Sequence, residues 1–124
     1  MTVQELYAQI GGSYDDAKRT LPMDKLIAKF VVKFLDDKSA ERLFSAWDAR
    51  DAEALFEGAH AMKGVCGNIG LTSLSVSASE LADEFRPGKE RTMDDAEVQR
   101  RIDELRADYE RTIDGIRAFA AEQQ

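Results

Sequence analysis

The chain is poor in the residues from which most catalytic centres are built. Its 124 residues include one histidine, one cysteine, one tryptophan and two prolines. A single cysteine, Cys66, excludes an intrachain disulfide and reads as a small apolar residue. No apolar run approaches the ~20 residues that span a bilayer. The longest candidate, Leu26 to Leu35, is interrupted by Lys29 and Lys33. Positive charge is in deficit, with a net charge of −7. That speaks against a nucleic-acid partner, which calls for a basic face, and against an anionic membrane surface. Met1-Thr2-Val3-Gln4-Glu5 has neither the basic start nor the apolar core of a signal peptide, so the expected location is the cytoplasm. There is no Walker-type loop and no glycine-rich nucleotide motif, hence no expected ATP site.

What remains is the material of a globular helical domain. Apolar residues make up 44% and charged residues 33%. One domain over residues 1–124 is expected, large enough to bury a core without disulfides or metal. The apolar spacing is helical nearly throughout, and no segment alternates like a strand. Thr2 and Glu5 form a capping-box pattern ahead of Val3, Leu6, Tyr7 and Ile10, and Gly11-Gly12 ends that stripe. Ser13 is a second cap, with Tyr14, Ala17 and Leu21 inward.

Pro22 and Asp24 suit a first helical turn. Leu26, Ile27, Phe30, Val31, Phe34 and Leu35 follow as one expected buried face. Ser39 is the expected cap for Leu43, Phe44 and Trp47, and Asp51 for the helix bearing His60. Gly70 separates that helix from Leu71, Leu74, Ala78, Leu81 and Phe85. Arg86 to Thr92 reads as a loop. A long last helix, from about Asp94 to Ala120, carries Val98, Ile102, Leu105, Tyr109, Ile113, Ile116 and Phe119. Glu122 to Gln124 is expected to fray. Four amphipathic helices longer than three turns, joined by short loops, predict an all-α, antiparallel up-down four-helix bundle. Its core spans about 22–120, and extra short N-terminal helices cover one end.

The unusual segment surrounds the lone histidine. Gly58, Gly64 and Gly67 lie within one predicted helix, where each glycine costs roughly 1 kcal/mol relative to alanine. At about 100° per residue, Leu55, Ala59, Met62, Cys66 and Ile69 form the core stripe. His60 points away from it, and Phe56, Lys63, Gly64 and Gly67 lie within about 60° of His60. A lone imidazole, a lysine one turn on, a phenylalanine and two bare glycines together read as a docking surface.

These residues resemble a known family. His60-Ala-Met-Lys63-Gly64-Val-Cys-Gly67-Asn68-Ile-Gly70-Leu71 is similar to the phosphorylation motif of histidine-containing phosphotransfer (HPt) domains: His-x-x-Lys-Gly, a small residue three further on, then Gly-Leu. Met62 stands where the family often has leucine, and Cys66 where small residues are common. The resemblance implies that His60 accepts a phosphoryl group from the aspartate of a response-regulator receiver domain and passes it to another. Lys63 would stabilise phosphoryl charge, and Gly64 would clear space for the receiver. With Phe56 and Gly67 it would form the docking surface. Implied partners are receivers, with a hybrid sensor kinase as a further candidate. No cofactor is expected on this chain, with any Mg²⁺ supplied by the receiver.

The chemistry of the residues agrees. Imidazole is the side chain that is neutral and nucleophilic near neutral pH, and it forms covalent intermediates. Phosphoryl transfer asks mainly for in-line positioning and charge neutralisation. Two rivals compete. Glu57-Gly-Ala-His60 matches the Glu-x-x-His of di-iron bundles, but that site needs two such motifs directed into the core. An adaptor bundle would bind a receiver or another protein without phosphotransfer.

Overall fold

The computed structural model describes residues 1–123 and contains seven α-helices among them and no strand. They are α1 (Val3–Ile10), α2 (Tyr14–Thr20), α3 (Asp24–Lys33), α4 (Ser39–Asp48), α5 (Ala52–Asn68), α6 (Thr72–Glu84) and α7 (Asp95–Glu122). The fold is an all-α bundle. Helix α5 packs against α4 and α6, and α7 packs against α6, α1 and α3. No helix among the described residues is long and apolar enough to cross a membrane.

Local sequence sets most of the helix ends. Thr2 and Glu5 close the expected capping box on α1, and Gly11 terminates it at φ 73°. Ser13, Asp51 and Asp94 cap α2, α5 and α7 through their side chains. At α4 the N-cap position falls on Lys38, not Ser39, and makes no side-chain cap bond. Ser39 is already helical, and Asp37 accepts hydrogen bonds from the Ser39 amide, at 2.9 Å, and from its hydroxyl. Both residues are good cap formers, but the carboxylate reaches the free amide from outside the helix.

Three helices rather than four exceed three turns: α5, α6 and α7, with 17, 13 and 28 residues. Helices α3 and α4 have ten residues each, and α3 runs on into a 3-10 turn, Phe34–Asp36. Helix α7 still includes Glu122, whose carboxylate lies 3.2 Å from the Met1 ammonium, so the expected fraying starts no earlier than Gln123. Gln124 lies outside the described residues.

The core is continuous from α1 to α7. Leu6, Tyr7, Ile27, Leu43, Trp47, Met62, Leu74, Leu81, Ile102, Leu105 and Phe119 are all nearly inaccessible. The short N-terminal helices are part of it. The Tyr7 hydroxyl donates to the Ile69 carbonyl at 2.5 Å, and the Ser13 amide donates to the Gly70 carbonyl at 2.8 Å. Burial pushes the Tyr7 phenol well above its ordinary range. Gly70 sits at φ 74°, and a Cβ there would lie 2.6 Å from the Ser13 carbonyl oxygen. A glycine is required on both counts. So the end of α5 is clamped by the first twenty residues.

The α6–α7 loop is held by a buried carboxylate. Glu84 is 3% exposed. It accepts from the Thr92 amide at 2.8 Å, the Thr92 hydroxyl at 2.8 Å and the Met93 amide at 2.7 Å, and meets Lys89 Nζ at 3.3 Å. Burial pushes its carboxyl up, but the Met93, Thr92 and Lys89 hydrogen bonds together outweigh burial and hold it at about 2. A depressed folded-state value adds stability above the ordinary carboxyl range that is lost as pH falls from about 4.5 towards 2. The full contribution is roughly 3 kcal/mol. Glu84→Gln is expected to lower stability at pH 7 by about 1–3 kcal/mol and to flatten the acid limb of the stability curve. Denaturant melts from pH 7 to pH 2 check this, and parallel curves for the two proteins would remove Glu84 from the account.

Candidate functional site

Helix α5 separates its faces as the angular reading requires. Leu55, Ala59, Met62, Cys66 and Ile69 are all buried. His60, Lys63, Gly64 and Gly67 are exposed, and Phe56 is half-buried on the same side. The helix is fixed at both ends, by the Asp51 cap and by the Gly70 turn packed on α2. An exposed imidazole therefore stands on a rigid helix in the middle of the bundle surface. Burial pushes the Cys66 thiol far above its ordinary range, so Cys66 is core and not a competing nucleophile.

The three glycines of α5 do three different things. A Cβ on Gly58 would lie 2.9 Å from the backbone nitrogen of Leu43, so this glycine lets α4 and α5 approach closely. A Cβ on Gly64 would meet nothing within 4 Å. The space there is open to solvent, and no contact within the molecule uses it. A Cβ on Gly67 would lie 3.3 Å from Ser75 Oγ on α6. Ser75 donates to the Lys63 carbonyl at 3.1 Å. Gly67 is thus exposed, yet part of its clearance serves the α5–α6 contact.

Phe56 and His60 stack, with ring centroids 5.7 Å apart and planes 19° from parallel. The side-chain hydrogen bonds on α5 engage Asp51 and the Lys63 carbonyl, and none among the described residues engages His60. Lys63 enters no ion pair among the described residues, like Lys25, Lys29 and Lys33 and unlike Lys18, Lys38 and Lys89. Its ammonium is free to meet an incoming anion one turn from the imidazole.

Two hollows flank this face. One lies between Phe56, Phe85, Pro87 and Arg91. The other lies between α3 and the end of α5, lined by Phe30, Phe34, Val65 and Ile69. Phe30 corrects the sequence reading of α3. It was expected in the core but is 37% exposed, while Ile27, Val31 and Phe34 form the buried column. Reading from sequence also missed Ser75 and Glu84, whose partners lie 12 and 8–9 residues away along the chain.

The di-iron reading finds no support in placement. Glu57 and His60 both face solvent. No group of three or more His, Cys, Asp or Glu residues that could hold a metal occurs among the described residues.

The face thus brings together an exposed histidine, a lysine in no ion pair among the described residues and an open glycine position. No curated protein and no solved structure gives a significant match to the chain. The family model of the Hpt domain matches residues 30–115, more than two thirds of the sequence, and includes α4, α5 and α6 whole. Hpt domains are phosphotransfer modules of two-component signalling that interact with response-regulator receiver domains. By that match this chain belongs to the Hpt domain family.

Proposed function

We propose that this chain is a phosphocarrier in which His60 takes a phosphoryl group from the phospho-aspartate of one receiver domain and gives it to the aspartate of another. The observation that carries this reading is the empty space over Gly64, beside the only histidine of the chain. A glycine that costs stability and touches nothing inside the molecule fits a surface on which something else must lie close. In the forward step a lone pair on a His60 ring nitrogen attacks phosphorus. An N–P bond forms, the aspartyl O–P bond breaks, and the carboxylate leaves with the electron pair. The reverse step discharges the ring to a second receiver. A hybrid sensor kinase carrying a receiver is a further candidate partner. Any Mg²⁺ in the reaction comes with the receiver.

Helix α5 supplies position and charge. Near-attack geometry places the reacting atoms about 3–3.5 Å apart, so the receiver must approach the helix backbone closely. Lys63 attracts the phosphoryl oxygens as charge shifts onto them. Lys63→Ala is expected to slow transfer at saturating receiver about tenfold while leaving receiver affinity within about twofold. Rapid-quench transfer kinetics over a range of receiver concentrations separate the two quantities, and an unchanged saturating rate would take Lys63 out of the mechanism.

The test of the whole reading is incubation with a panel of labelled, phosphorylated receivers. A label that is acid-labile and base-stable is expected, as befits a phosphorus–nitrogen bond. Receiver binding without any such label would transfer the weight to the adaptor reading.

A further inference from the structure

We propose that Phe56 is a positioning residue for His60, and that its ring holds the imidazole in the orientation from which phosphoryl transfer proceeds. This rests on the phosphocarrier reading. Nucleophilic and basic histidines are ordinarily oriented by a hydrogen bond from the second ring nitrogen to a carboxylate or carbonyl. Here no such bond exists among the described residues, and Glu57, one turn back, makes none to the ring. The contact that does define the ring is the stack on Phe56, at 5.7 Å and 19°.

The local geometry explains how the contact arises. Side chains on a helix lean towards its N-terminus, so residue i rests over residue i−4. His60 therefore leans back across Phe56. Offset, near-parallel rings are a favoured aromatic arrangement. Phe56 is itself anchored, because it packs against the core and lines the hollow beside Phe85 and Pro87. An unanchored exposed side chain changes rotamer in picoseconds to nanoseconds and spends only part of its time in any one pose. The stack is offset, with centroids 5.7 Å apart, and His60 stays exposed, so the contact does not shut the ring off from a donor. This role differs from docking: a residue that only docks the receiver alters affinity, whereas one that orients the ring alters the rate after binding, for any donor.

Phosphoramidate provides a donor too small to depend on a docking surface. The imidazole nitrogen forms a bond to phosphorus, the P–N bond of phosphoramidate breaks, and ammonia leaves with the electron pair. The ring then releases a proton to solvent. Labelling rates would be compared for the wild type, Phe56→Leu and Phe56→Trp, first with phosphoramidate and then with saturating phosphorylated receiver. Phe56→Leu is expected to be roughly threefold to tenfold slower with both donors and Phe56→Trp within twofold of wild type, rates at saturating receiver being independent of any change in docking affinity. In Phe56→Leu the His60 ring protons should also lose the ring-current shift that Phe56 imposes. If Phe56→Leu folds poorly by circular dichroism, Phe56→Met takes its place. A wild-type labelling rate in the aliphatic variant, or an effect confined to receiver affinity, overturns the proposal and leaves His60 as the carrier. No label on the wild type from either donor overturns both.

Discussion

His60→Gln is expected to lose phosphoryl transfer entirely while keeping the fold and the affinity for receivers. Glutamine has nearly the reach of histidine but offers an amide in place of a nucleophilic ring nitrogen. Because His60 is the only histidine, the variant has no second imidazole to take over, and the acid-labile label should fall to background. Stability should move by no more than about 0.5 kcal/mol, since the side chain is exposed and glutamine is a good helix former. Receiver binding should change less than about threefold, since the substitution removes little beyond the stacking of the ring on Phe56. Transfer assays and titration calorimetry on the same preparations check both halves. An acid-labile label that persists in the variant would defeat the assignment of His60. Loss of binding together with loss of label would show instead that the imidazole mainly serves docking.

Much of this site was legible in the sequence, and what was not can be traced to particular residues. Helix α5 was read correctly by angle alone. Its core stripe and its exposed face are determined by the 3.6-residue period, and a 17-residue helix gives that period room to show. The stack of Phe56 on His60 was also within reach, because residues four apart are neighbours on a helix. Helix α3 misled for the opposite reason. Leu26, Ile27, Phe30, Val31, Phe34 and Leu35 outline an apolar face too broad for one short helix to bury. Ile27, Val31 and Phe34 are buried, Leu35 packs half-buried against the core, and Phe30 lines a hollow with Val65.

Glu84 carried no local signal. It is a charged residue at the end of a helix, and only the return of the loop with Thr92 and Met93 makes it a buried anchor. The α5 glycines show the boundary most clearly. In sequence Gly58, Gly64 and Gly67 are equivalent interruptions, each unfavourable in a helix. Tertiary structure alone divides them into a contact with α4, an open site, and a partly used contact with α6.

That division makes the strongest prediction about docking. Gly64→Leu is expected to slow transfer from a phosphorylated receiver at least a hundredfold without harming the fold. No atom lies within 4 Å of the position a Cβ would take, and Gly64 is not among the glycines with positive φ, so a leucine there projects outwards without backbone strain. Exchanging glycine for a strong helix former should raise stability by up to about 1 kcal/mol. The added side chain stands on the same side of α5 as His60, where the proposed transfer requires the receiver backbone to come close. Displacing the donor by about 1 Å from near-attack geometry is already enough for a hundredfold loss. Labelling by phosphoramidate, which needs no broad clearance, should stay within about threefold of wild type. Gly64→Ala should fall between the two proteins. Normal receiver transfer in Gly64→Leu would mean that the receiver never covers this position, and the space over Gly64 would then need another explanation. Equal loss with both donors would place the defect in the imidazole and not in docking.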